Sequence, residues 1–258
     1  MLTVGEKTKK CPLQICDCGV ADYREVLQLQ HQLCEKRRRG EIPNTVLIVE
    51  HPAVITLGAR RSANKLLASR SELAEKRIDV VDIRRGGGAT AHNPGQLVFY
   101  PILHLHELKL GISEYIRELE AIGAELLEQL GVRSYKGLSS SDEKEILRCA
   151  QNDKRGAKER KGLPGLWVAP RAPRQGQGDK KIASIGARVS KFVTYHGMAI
   201  NIQNDLSIFD FFVPCGLNGV EMTSVLKETG RYYSMSRVKE NLAELLIGKS
   251  KFENQKSK

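Results

Sequence analysis

A thiol and an amine are the two groups of this chain best suited to do chemistry. Cys215 stands between Pro214 and Gly216, a turn composition that presents a side chain rather than burying it. Lys181 opens the strand-like run KIASIGARV. A free cysteine with a pKa near ~8.5 is mostly protonated at neutral pH, so a neighbouring ammonium would raise the thiolate fraction and make a nucleophile of it. The same two residues also fit a small buried cysteine and a solvated lysine, and spacing alone does not choose between these readings.

A second candidate stretch is RRGGGATAHNPGQLVFYPIL, residues 84 to 103. Three consecutive glycines let backbone approach a ligand closely and leave amide hydrogens free to donate, while Arg84 or Arg85 adds charge and Thr90 and His92 add polar side chains. It reads as a binding loop. It has neither the G-K-[ST] of a Walker loop nor a GxGxxG dinucleotide fingerprint.

These stretches need a scaffold, and 258 residues with 41% hydrophobic content predict one large soluble domain burying roughly 70 to 75% of its unfolded surface. No apolar run approaches the ~20 residues of a membrane span, and the lysine-rich start lacks the core of a signal peptide. A cytoplasmic protein is expected. For the six cysteines, Cys11, Cys16, Cys18, Cys34, Cys149 and Cys215, that context predicts free thiols. Cys11, Cys16 and Cys18 lack the C-x-x-C pairs of a structural zinc site, so no metal is expected.

The net charge of +11 raises a nucleic-acid reading, which its distribution weakens. Residues 1–10, 134–180 and 249–258 carry +10 of it, leaving the remainder near neutral, so the excess belongs to tails and one polar segment. No nucleic-acid partner is expected.

Along the chain, Leu13 to Ile15 reads as a first strand. Asp22 with Glu25 starts a helix to about Arg39, with Tyr23, Val26, Leu27, Gln30, Leu33 and Cys34 on one face and Gly40 as its stop. Thr45 to Val49, Ala53 to Leu57, Ile78 to Ile83 and Leu97 to Leu103 read as strands, Pro101 favouring an edge position for the last. A short helix is expected around Ser71 to Lys76. Ser113 caps a long helix to Leu130 whose stripe of Tyr115, Ile116, Leu119, Ile122, Leu126 and Leu130 reads as core, with Gly131 as its stop. Residues 137–162 read as an exposed insertion with a short helix near 143–150, GLPGLWVAP as a strand, and RAPRQGQGDK as a flexible run. Ser236 starts a last helix with Val238, Leu242, Leu245 and Leu246 inward, and 249–258 is a loose tail.

RGGGATAHNPGQL, GLWV, KIASIGARV, YHGMAIN and PCGLNGVEMTS, in this order over about residues 45 to 225, resemble the lipoyl(octanoyl) transferase family of lipoate synthesis. The resemblance implies an α+β single domain over 1–258, a mixed β-sheet with packed helices like the catalytic module of biotin and lipoate protein ligases. It implies an acyltransferase that moves octanoyl from octanoyl-acyl carrier protein to a lysine of lipoyl domains, those of 2-oxoacid dehydrogenase E2 subunits and the glycine cleavage H protein. That transfer needs neither cofactor nor ATP. Carried over by motif, Cys215 is the acyl-accepting cysteine and Lys181 its activating lysine. The substrate-binding segments are Arg85, Gly86, Gly87, Gly88, Ala89, Thr90, Ala91 and His92; Ser184, Ile185 and Gly186; and His196, Gly197 and Met198. Ala91 and Asn93 depart from the family's residues around the histidine, which implies a different pocket wall. Leu57, Val98 and Met198 are candidates for the acyl slot, and Arg60, Arg61, Arg84, Arg188 and Lys191 for steering acidic partners. An ATP-dependent lipoate or biotin ligase, or an amidotransferase between lipoyl domains, are the alternatives.

Overall fold

The computed structural model describes residues 13–137, 164–170, 178–214, 220–248 and 251–252. Cys215, most of the 137–162 insertion with its expected helix, and residues 171–177 lie outside them.

Among the described residues an eight-stranded mixed sheet carries the architecture. Its path begins with β1 (Gln14–Val20), β2 (Thr45–Glu50) and β6 (Gln96–Ile102), and continues through β10 (Val193–Asn201), β9 (Lys180–Ser190), β8 (Gly165–Val168) and β7 (Tyr135–Lys136). The short β11 (Glu221–Met222) pairs with β9. A three-stranded sheet of β4 (Asp79–Asp82), β3 (Val54–Leu57) and β5 (Thr90–His92) stands apart. Thr90 to His92 is therefore strand, and the loop before it runs from Ile83 to Ala89.

Strand alternation sets the layers, because successive side chains point to opposite faces. Val46, Ile48, Leu97, Phe99 and Met198 join a core with α3 (Ile112–Gln129) and α5 (Met235–Gly248). Leu47, Val49, Val98, Tyr100 and Ala199 face α1 (Tyr23–Arg38), which contributes Val26. The small helices α2 (Arg70–Glu75) and α4 (Val225–Thr229) lie between these units in the chain. Asp22 caps α1 by accepting from the amides of Arg24 and Glu25. Gly111, rather than Ser113, precedes α3, its amide held by the Glu114 carboxylate at 2.7 Å. Gly40 and Gly131 follow α1 and α3 in left-handed conformation. No helix of the described residues is long and apolar enough to cross a membrane.

Two further expectations need correction. β6 is interior, paired to β2 on one side and β10 on the other. Pro101 is tolerated because its Cδ, which replaces the amide hydrogen, lies towards Gly197, where a Cβ would come within 2.8 Å of it. In the expected loose tail, Phe252 is fully buried in the α3 and α5 core, and its carbonyl accepts from Asn44 Nδ2 at 3.1 Å.

Candidate active site

Lys181 is only 2% exposed, which removes the solvated reading. Its backbone is fixed in β9 between Trp167 of β8 and Met222 of β11, and its carbonyl accepts from the Thr223 amide at 2.9 Å. The ammonium lies 3.4 Å from the Pro164 carbonyl oxygen and 5.2 Å from the centroid of the Trp167 ring. Gly165 makes room for the lysine stem: a Cβ there would stand 2.4 Å from the Ala183 carbonyl oxygen and 3.0 Å from Lys181 Cε.

The lysine lines a cavity of about 250 Å³. Arg85 to Thr90, His92, Ser184 to Gly186 and His196 to Met198 line the same cavity. Thus the three separate sequence segments converge with Lys181. Ala91 does not join them; it points into the core of the small sheet. Asn93 is likewise turned away, bonded to the Asp205 carbonyl and to Asn204, so neither of these two side chains forms cavity wall. Of the proposed acyl-slot residues Val98 and Met198 line the cavity, whereas Leu57 belongs to the small-sheet core.

Several lining residues escape sequence reading. Tyr23 and Tyr100 sit in core stripes, and Ile116 sits in the α3 stripe read as purely structural. The weak signal at the tyrosines is a hydroxyl at an otherwise apolar position. Arg60, expected to steer partners, is exposed and lines the cavity.

The cavity's cations, Lys181, Arg85 and Arg60, stand beside imidazoles that burial keeps neutral. Arg85 is buried and gives its guanidinium to the Thr56 carbonyl and hydroxyl, each at 2.9 Å from Nη2. His92 donates from Nδ1 to Gln96 Oε1 at 2.7 Å and stacks on Tyr23 with centroids 5.6 Å apart. Behind them His51 donates from Nδ1 to the Ala21 carbonyl at 2.8 Å, so its Nε2 accepts from the Tyr100 hydroxyl at 2.9 Å. Burial lowers all three imidazoles: His51 to about 4, His196 to about 3 with help from Arg85, and His92 well below the ordinary value with help from His51.

Residues 22–247 match the sequence pattern of the lipoyl protein ligase A/B catalytic domain. The chain belongs to that family. Within it the chain is 37% identical to an octanoyltransferase of Syntrophobacter fumaroxidans, covering 89% of this chain and 86% of that protein. It is 36% identical to an octanoyltransferase of Roseiflexus sp., covering 89% and 84%. It is an acyltransferase of the octanoyltransferase group. The fold is shared with a lipoate-protein ligase A bound with ATP, at TM-score 0.60 and 14% identity over 92% of this chain and 84% of that one. A bi-partite lipoate protein ligase of Thermoplasma acidophilum shares it at TM-score 0.59, 14% identity, 92% and 82%.

Proposed function

We propose that the protein transfers an octanoyl group from octanoyl-acyl carrier protein to a lysine of lipoyl domains through a thioester on Cys215. The observation that carries this reading is a lysine buried at 2% exposure on a cavity to which three motif-bearing segments converge. A volume of about 250 Å³, below the ~300–1,000 Å³ of drug-sized pockets, suits a slender chain. Val98, Ile116, Ile185 and Met198 supply apolar wall for it.

In the first step the Cys215 thiolate attacks the thioester carbonyl, the bond from that carbonyl to the carrier's sulfur breaks, and the carrier leaves as a thiolate that takes up the proton the Cys215 thiol gave up. In the second the lipoyl-domain amine attacks the acyl-enzyme, loses a proton and forms the amide while Cys215 is regenerated. Lys181 as a cation stabilises the thiolate of the first step. The oxyanion falls to the amides of the glycine loop. Gly86 and Ala89 amides are already committed to the Ala187 and Ala63 carbonyls, which favours Gly87 and Gly88. The net change, thioester to amide, needs neither ATP nor metal.

The test is transfer between purified partners. Mixing the protein with octanoyl-acyl carrier protein and a lipoyl domain, without ATP, should add one octanoyl group to the lipoyl domain. Transfer only from free octanoate with ATP would identify a ligase instead.

A further inference from the structure

His196 lies opposite Pro101 by register, because Met198 pairs with Phe99 and the Thr194 amide donates to the Leu103 carbonyl on either side. In a regular antiparallel ladder this pair would exchange two bonds. Proline has no hydrogen for one of them. The other is not made either: the Pro101 carbonyl accepts from the Thr194 hydroxyl at 2.6 Å. The His196 amide instead leaves the sheet and donates to Gln30 Oε1 of α1 at 2.7 Å. His196 takes a left-handed φ of 56°, a conformation that is strained for a non-glycine residue and persists only where surroundings impose it. His196 lines the cavity, and its Nδ1 is buried without a hydrogen-bond partner.

We infer that Gln30 is a positioning residue for the acyl-transfer site, its side-chain carbonyl holding His196 in the left-handed turn that aims the imidazole at the cavity. Gln30 is fully buried and lies outside the cavity lining, so its influence passes through His196. The imidazole so held offers a hydrogen-bonding nitrogen to the polar end of an acyl substrate. This rests on the acyl-transfer reading above.

Gln30→Met keeps the length of the side chain and removes the acceptor. Two readouts separate the outcomes: octanoyl transfer, and the ring-nitrogen NMR signals of His196 followed from pH 8 to pH 5. The wild-type ring should not titrate over that range. In a folded Gln30→Met protein kcat/KM should fall roughly tenfold to a hundredfold, as for a misplaced site group, and the His196 ring should begin to titrate as it turns towards solvent. Unchanged transfer with an unchanged ring signal would overturn the role. Should Gln30→Met not fold, Gln30→Asn, whose shorter amide cannot reach, replaces it; failure of both to fold would mark Gln30 as structural and likewise overturn the inference. A wild type without transfer activity would defeat the acyl-transfer reading, and the ring titration would still report on the link from Gln30 to His196.

Discussion

Lys181 and Trp167 are cross-strand partners in β9 and β8, and the lysine ammonium lies 5.2 Å from the centroid of the Trp167 ring. An indole face stabilises a cation by about 0.5–2 kcal/mol, more as water is excluded. Trp167→Leu should therefore slow formation of the acyl-enzyme about tenfold while Trp167→Phe retains part of the rate. On the proposed role of Lys181 beside the thiolate, Lys181→Met should lower it further, by two or more orders of magnitude. Single-turnover acylation measures each.

Gly165 supports that lysine by having no side chain. With φ at 137° and a would-be Cβ 2.4 Å from the Ala183 carbonyl oxygen, Gly165→Ala should destabilise the protein by at least about 1–3 kcal/mol and displace Lys181. Urea unfolding together with the acylation rate tests both effects.

The three buried histidines predict an acid-sensitive fold. Their native pKa values lie below the unfolded value of about 6.5, so the unfolded chain binds protons that the native protein does not. The stability they confer is complete above about pH 6.5 and is lost as pH falls towards about 4 for His51 and about 3 for His196. Each contributes a slope of about 1.4 kcal/mol per pH unit in that window. Urea unfolding should show a fall between pH 7 and pH 5, and His51→Phe should make it shallower by about one such slope.

Much of the framework is legible in the sequence because its signals are local. The α1 and α3 periodicities, their glycine stops and the β-rich runs all survive in the structure. What escapes reading depends on distant partners. Pro101 reads as an edge residue only while Gly197, the residue that accommodates it, is unknown. Phe252 reads as tail because nothing nearby in sequence reveals the α3 and α5 core that receives it. At the site, motif order singles out the segments that line the cavity, but not Tyr23, Tyr100 or Ile116, which share core periodicity. Ala91 fails for a related reason: strand alternation turns it from the cavity between two residues that face it.

Arg60 is exposed at the cavity, where a positive charge can guide an acidic carrier domain. Arg60→Glu should raise KM for octanoyl-acyl carrier protein severalfold at low ionic strength, with the difference shrinking as salt screens it. A KM independent of both charge and salt would remove Arg60 from the encounter.

The proposed thioester on Cys215 is the step on which the rest of the proposal depends, and intact-protein mass spectrometry after mixing with octanoyl-acyl carrier protein, without ATP, tests it most directly. The wild type should gain one octanoyl group that hydroxylamine removes, and Cys215→Ala should gain none. A folded wild type that carries no adduct even after rapid quenching, or an adduct that persists in Cys215→Ala, would contradict the covalent mechanism.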